Sequence, residues 1–375
     1  MLSISGKPTI LLLTGHPTER PQLVKFVSNF TEDPSMMICG DIIEQEKHNE
    51  QLLDFQKMKS DTSIWLEQRN TRASYTPILA RSFSQGVRSL LQCTGIGGIH
   101  QDILMMGFKD LYTSDPASIK EYFNVIKDAI DFRLGVGILR FPVGFDLDKS
   151  LSVKSGGIQN LGFQPDDPTV AVDVNQNFSK TSKSLDEDKN KINSKSAKEK
   201  HKTIDVWLLS EHGDYSLMLS QLLQHSSPWK KCKLRIFAVS SPDDVETKRK
   251  KLEGQLKQAN IKYNEVSVLP DERRISKLDN LDLFLERIRD WILDSQAGES
   301  NRSHPWKISE ADISNQRAKL HRIIQTRELL EEFSNNASLI LMPLPAPRIG
   351  FVSPSLYLAY LDILTRDMPP MILLR

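Results

Sequence analysis

Residues 337–375 read ASLILMPLPAPRIGFVSPSLYLAYLDILTRDMPPMILLR. Two apolar runs of strand length, 339–344 and 371–374, flank a segment that opens on Ser353-Pro354 and carries a helical apolar period. Strand, helix start and strand in that order are the grammar of a parallel sheet crossed by helices.

Working upstream, the same cycle recurs. KTIDVWLLS (202–210) and WKKCKLRIF (229–237) predict strands at 204–209 and 234–239, and a further strand is expected at 263–269. Ser241-Pro242-Asp243-Asp244 starts a helix, with a proline and two acids at the positive end of the dipole. Leu281, Phe284, Leu285, Ile288, Trp291 and Ile292 line one helix face. Ser309 and Asp312 form a capping-box pattern that opens a long helix toward residue 335.

The first half repeats the pattern. Strands are expected at 9–13, 36–43, 72–76, 102–108 and 135–141. A helix begins at Pro21, and polar helical segments at 45–59 and 64–68 follow the second strand. The helix at 80–94 gathers Phe83, Val87, Leu90, Leu91 and Thr94 on one face. Asp115-Pro116 opens another, with a stripe of Ile119, Tyr122, Phe123, Ile126 and Ile130. Gly95, Gly97 and Gly98 follow a helix and precede a strand, the reverse of a phosphate loop; Gly95 reads as a helix C-cap.

Between the halves the pattern stops. KTSKSLDEDKNKINSKSAKEKHK (180–202) is charged, serine-rich and nearly free of large apolar side chains. Such a stretch buries too little surface to offset ordering entropy, so 173–201 is expected to be a disordered tether. Ser179, Ser182, Ser184, Ser194 and Ser196 are candidate phosphorylation sites in it. A second short flexible insert is expected near 297–304.

Composition narrows the function classes. The 375 residues carry 49 Lys plus Arg against 48 Asp plus Glu, a net charge of +1. No global positive field is available to neutralise several phosphates of a nucleic acid. Cys39, Cys93 and Cys232 are scattered, without CxxC or paired Cys/His spacing, and read as buried free thiols rather than a zinc site. No window approaches the ~18 apolar residues of a membrane helix, and the N-terminus lacks a signal pattern; the chain is expected to be soluble by itself. The eight histidines are dispersed, so no metal centre is expected.

The ordered set of blocks resembles the C-terminal cytoplasmic domain of the cation-chloride cotransporters, and within them the sodium-dependent branch. The blocks are Ile204-Asp205-Val206-Trp207, 229–237, Pro305-Trp306-Lys307-Ile308-Ser309, Pro354-Ser355-Leu356-Tyr357 and 369–375. In the first half they are LLLTGHPTERPQLVKFVSNFT, SMMICGDII, ILMMGFKD and IKDAIDFRLGVGILR. The likeness spans nearly the whole chain outside the tether. It implies an α/β fold with mostly parallel sheets, in two Rossmann-like, universal-stress-protein-like subdomains at 1–150 and 203–375, joined by the linker 151–202. It further implies a regulatory role on the cytoplasmic side of the plasma membrane. The partners would be a second copy of the chain, the transmembrane domain of the same transporter, and regulatory kinases or phosphatases. The ion-binding residues would lie elsewhere. The family usually continues a short way beyond a position like Arg375 with a final apolar strand, so an unpaired sheet edge is expected here. The potassium-chloride branch is the alternative within the family, favoured by the CTGIGG–ILMMGF block (93–108).

Thr14, Gly15, His16, Thr18 and Arg20 form the candidate ligand corner. They follow a strand and precede a helix, where open α/β sheets bind anions. The resemblance implies ATP or ADP there, since some family members carry a nucleotide on this loop; those members tend to have lysines, and here only Arg20 and Lys25 are basic. A freestanding nucleotide sensor of the stress-protein type is the rival reading. A hydrolase is the other. Ser210, Glu211, His212, Asp214 and Ser216 supply triad residue types, but as sequence neighbours without a GxSxG elbow. No catalytic residue is assigned. The Pro343-x-Pro345-x-Pro347 run reads as a rigid crossover, with Phe351, Leu356, Tyr357 and Tyr360 as core or subunit contact. The lysine-rich stretches 230–233 and 248–251 read as solvated faces or as contacts to an acidic membrane leaflet.

Overall fold

The computed structural model describes residues 8–31, 36–44, 52–96, 99–112, 114–142, 144, 145, 147, 202–209, 214–227, 229–271, 278–293, 304, 306–347 and 352–375. The tether and its serines lie outside these residues.

Short apolar runs become buried strands, and the amphipathic segments between them become helices. The first half runs β1 (Ile10–Leu13), α1 (Pro21–Ser28), β2 (Met37–Glu44), α2 (Leu52–Gln68), β3 (Ala73–Ala80) and α3 (Phe83–Cys93). A small hairpin, β4 (Gly95–Ile96) and β5 (Ile99–His100), precedes β6 (Ile103–Gly107), α4 (Pro116–Asp131) and β7 (Gly135–Arg140). The second half runs β8 (Thr203–Leu208), α5 (Asp214–His225), β9 (Lys233–Ser240), α6 (Val245–Gln258), β10 (Glu265–Pro270) and α7 (Leu278–Arg287). It ends with α8 (Glu310–Asn315), α9 (Arg317–Ser334), β11 (Leu339–Pro343), α10 (Pro354–Thr365) and β12 (Met371–Leu374).

The strands form a ten-stranded sheet in the order β10-β9-β8-β11-β12-β7-β6-β1-β2-β3. The sheet is mostly parallel, as the α/β reading expects. Its one antiparallel junction among the described residues joins β12 to β7, with Met371 opposite Arg140 and Leu374 opposite Gly137. Through this junction the two halves share one continuous sheet. β12 is interior, paired with β11 on its other side, and the edges of the sheet are β10 and β3.

Two apolar layers cover the sheet. On one face α3, α4, α9 and α10 pack through Val87, Leu90, Ile119, Ile126, Leu320, Ile324, Leu356 and Leu361. On the other, α1, α2, α5 and α6 pack through Leu23, Phe26, Leu66, Leu219, Leu223, Leu252 and Leu256. Helix α10 is buried almost all round, the signature of a core helix. Tyr357 and Tyr360 therefore belong to this chain's own core, and the Tyr357 hydroxyl donates to the Pro345 carbonyl at 2.9 Å.

Polar contacts lock the junction. Arg140, at the end of β7, donates from Nη1 to Asp362 Oδ1 (2.9 Å) and Thr365 Oγ1 (2.8 Å), both on α10. Arg366 donates from Nε to the other oxygen of Asp362 at 2.8 Å. Within the second half, Asp205 is fully buried and takes both ends of the Arg235 fork at 2.9 and 2.6 Å.

Several expectations need correction. The strand expected at 72–76 runs on to Ala80, because β3 is an edge strand and tolerates Pro77, which offers no N–H. Gly95 is not a helix C-cap: Thr94 takes that position in extended conformation, and Gly95 pairs with His100 in the hairpin. The capping box at Ser309 and Asp312 forms as expected, but the helix breaks at Gln316 into α8 and α9. The helix face drawn to Ile292 is carried by α7 only to Arg287, with a short 3-10 turn (Arg289–Trp291) after it. Of the three thiols, Cys39 and Cys232 are buried, but Cys93 is exposed at the end of α3.

Candidate functional site

The chain passes from β1 to β2 and β3 on one side, then returns to place β6 on the other side of β1. The carboxyl ends of β1 and β6 thus form a topological switch point, where connections diverge and leave a crevice. A cleft of about 290 Å³ opens there. It is lined by Leu13 and Gly15 at the end of β1, Gly40, Ile42 and Glu44 of β2, and Met106 to Lys109 at the end of β6. Phe83 of α3, Ser118, Glu121 and Tyr122 of α4, and Arg20 complete the lining.

The structure divides the five candidate residues. Gly15 and Arg20 line the cleft. Gly15 has φ of +63°, the left-handed region where a side chain is strained, so glycine is what lets the chain bend over the strand end. Arg20 is also the N-cap residue of α1, its carbonyl accepting from Leu23 and Val24 at 3.1 and 3.2 Å. Thr14 is buried and spends its hydroxyl on the Gly15 carbonyl at 2.6 Å. His16 turns away, toward α2 and β3. Its Nδ1 is 2.6 Å from the Thr18 hydroxyl, its Nε2 is 3.1 Å from the Thr62 hydroxyl, and its ring meets Tyr75 edge-on at 5.8 Å. His16 and Thr18 therefore brace the loop.

The residue that sequence reasoning missed is Lys109. It lies two residues past the end of β6 and lines the cleft with Arg20. Burial holds its ammonium below the ordinary lysine pKa, Asp115 opposes that shift, and Arg20 adds to it. The signal was legible only in part. FKD follows a predicted strand, but only the strand order puts β6 beside β1.

The cleft is charged in both senses. Glu44 and Glu121 stand among its walls, and Glu121 accepts from the Ser84 N–H at 3.2 Å, at the start of α3. At the start of α4, Asp115 accepts from the Ser118 N–H at 2.9 Å, and that bond holds its carboxyl below the usual range. An anion entering here meets two cations, but the amide of Ser118 is already engaged. Among the described residues no group of three His, Cys, Asp or Glu side chains is arranged to hold a metal ion.

Elsewhere, a groove of about 460 Å³ runs along α6 past Lys250, Lys257 and Tyr263. Ser216, from the hydrolase reading, is buried in α5, while Ser210, Glu211 and His212 lie outside the described residues. Lys230, Lys231 and 248–251 are exposed.

Comparison with known proteins bears out the resemblance read from the sequence. The family model for solute carrier family 12 matches residues 20–191 and 162–375. Human solute carrier family 12 member 3 is 30% identical over 377 residues, covering 98% of this chain and 36% of that protein. Member 2 from Danio rerio is 30% identical over 425 residues, again across 98% of this chain and 36% of the relative. The chain thus spans about a third of the length of these curated relatives. The crystal structure of the cytoplasmic domain of a prokaryotic cation chloride cotransporter superposes with a TM-score of 0.50 at 13% identity, over 98% of this chain and 95% of that one, a likeness of fold. The chain belongs to solute carrier family 12.

Proposed function

We propose that this chain is the cytoplasmic regulatory and dimerisation domain of an electroneutral cotransporter that moves sodium, potassium and chloride together. The observation that carries the reading is the alignment of 98% of the chain with 36% of human solute carrier family 12 member 3. None of the described helices is long and apolar enough to cross a membrane. In this reading the ion pathway lies in membrane-spanning segments, and this domain hangs beneath them in the cytosol. It pairs with its twin, supports folding and trafficking, and biases the transport cycle without bond chemistry. Kinases or phosphatases acting on the tether serines would set that bias through added charge.

The reading predicts that the 375-residue chain sediments as a dimer at micromolar concentration, and that a transporter lacking it reaches the cell surface less efficiently. A chain that stays monomeric at every concentration, with unchanged surface delivery of the truncated transporter, overturns it.

The cleft supports a second reading, in which the domain also senses a nucleotide. Arg20 and Lys109 at the switch point suit a phosphate group. At about 290 Å³ the cleft sits at the small end of ligand pockets, roughly 300–1,000 Å³. Titration calorimetry with ATP and ADP tests this. Saturable binding lost in Arg20→Glu supports it, and no heat at millimolar nucleotide ends it.

A further inference from the structure

At the junction of the halves, two arginines carry donors that the described residues around them leave unmet. Arg140 is 3% exposed. Its Nη1 is fully engaged, by Asp362 Oδ1 at 2.9 Å, the Asp362 carbonyl at 3.4 Å and Thr365 Oγ1 at 2.8 Å. Its Nε and Nη2 have no hydrogen-bond partner among the described residues. Those two atoms form one edge of the guanidinium, the fork that presents two parallel N–H groups. One face of the group is closed by the Phe108 ring, 4.1 Å from Cζ.

Arg366 repeats the imbalance. Its Nε is spent on Asp362, its Nη2 has no hydrogen-bond partner among the described residues, and Asp110 Oδ2 stands off at 3.9 Å. Thr365 offers no relief, because its hydroxyl donates to the Leu361 carbonyl at 2.7 Å. The three orphaned nitrogens are donors only. A water placed against them accepts but must still direct its own two hydrogens to acceptors. An anion has no such need. The formal charges of Arg140 and Arg366 balance those of Asp110 and Asp362, and Arg287 adds a further positive charge to the field around Tyr112. Burial disfavours the Arg140 charge, and Asp362 offsets that only in part.

We propose that the Nε–Nη2 edge of Arg140 is a binding site for one compact inorganic anion of the halide class, at the seam between the two halves of the sheet. The side chain is buried beneath Phe108 and α10, which favours a spherical ion over an organic phosphate. An anion held there gives Arg140 a second anionic partner beside the carboxylate that joins β7 to α10. Its concentration then sets how firmly the halves are joined. This inference rests on the seam alone and stands or falls separately from the transport reading.

Thermal unfolding of the full chain in sodium chloride, sodium bromide and sodium gluconate at equal ionic strength tests it. The expected result is a melting temperature about 2 °C or more higher in either halide than in gluconate. That difference should vanish in Arg140→Lys, which keeps the charge and lacks the fork. Crystals of the wild-type chain grown in bromide should show anomalous density within hydrogen-bonding distance of Arg140 Nε and Nη2, and this decides the matter if Arg140→Lys does not fold. Equal melting in all three salts with no bromide density at Arg140 overturns the proposal. So does halide stabilisation that survives Arg140→Lys with no density at the seam, which would show adventitious ion binding elsewhere.

Discussion

Asp362 holds two arginines on one carboxylate, with its side chain 2% exposed. Replacing it with alanine strands Arg140 as a buried, unpaired cation. The expected cost is about 3–5 kcal/mol, the usual loss when one partner of a buried pair is removed, read as a drop in denaturant midpoint. Lys109 works in the opposite sense. Its folded-state pKa is depressed by burial, so near neutrality the charged form is penalised in the folded chain and not in the unfolded one. Lys109→Met should stabilise the fold at neutral pH by about 0.5–1 kcal/mol. That advantage should shrink as pH rises through the folded-state pKa, where the native lysine sheds its charge. The same variant should weaken any anion binding in the cleft. At this scale the sequence was a partial guide. Gly15 and Arg20 were legible because a strand, a glycine bend and a proline-led helix mark a sheet corner. The inward turn of Thr14 and the swing of His16 toward Thr62 depend on α2, whose partners sit far along the chain. Lys109 was marked only by its place after a predicted strand, and Asp362 gave no local signal.

Helices end here in a recurrent way. After α4, Arg133 sits at φ +60°, its N–H bonded to the Ile130 carbonyl and the Leu134 N–H bonded to Ala129. After α2 and α6, Asn70 and Asn260 do the same at φ +51° and +53°. These are left-handed exits that glycine usually fills. Asn tolerates that conformation and Arg does not. Arg133→Gly is therefore expected to raise stability by about 1 kcal/mol, measured as a higher melting temperature with the same fold by circular dichroism. A lower melting temperature would show that the Arg133 side chain contributes more than the backbone strain costs. Most strands were readable, because runs such as ILLL and LILMP are short, apolar and bounded by turn residues. What escaped were features set by neighbours. β3 runs through Pro77 because it lies at an edge, and the C-terminal run MILL looks like any buried strand until β7 is found antiparallel beside it.

At the scale of the whole molecule, the two halves read from the sequence share one sheet. The β12–β7 pairing gives each half-sheet a neighbour along what would otherwise be an open edge. Parallel order within a half follows from strand–helix alternation, which is local. The antiparallel meeting of the halves links residues more than two hundred positions apart and leaves no pattern in either segment. Arg140 of β7 and Asp362 of α10 tie the halves by side chain as well as by backbone. The direct test is coupled chloride-dependent cation flux, counted per transporter at the cell surface, with and without this domain. The account predicts that flux per surface copy falls when the domain is removed and falls in part when Asp362→Ala loosens the seam. Flux per surface copy that is unchanged by removal of the whole domain would contradict it.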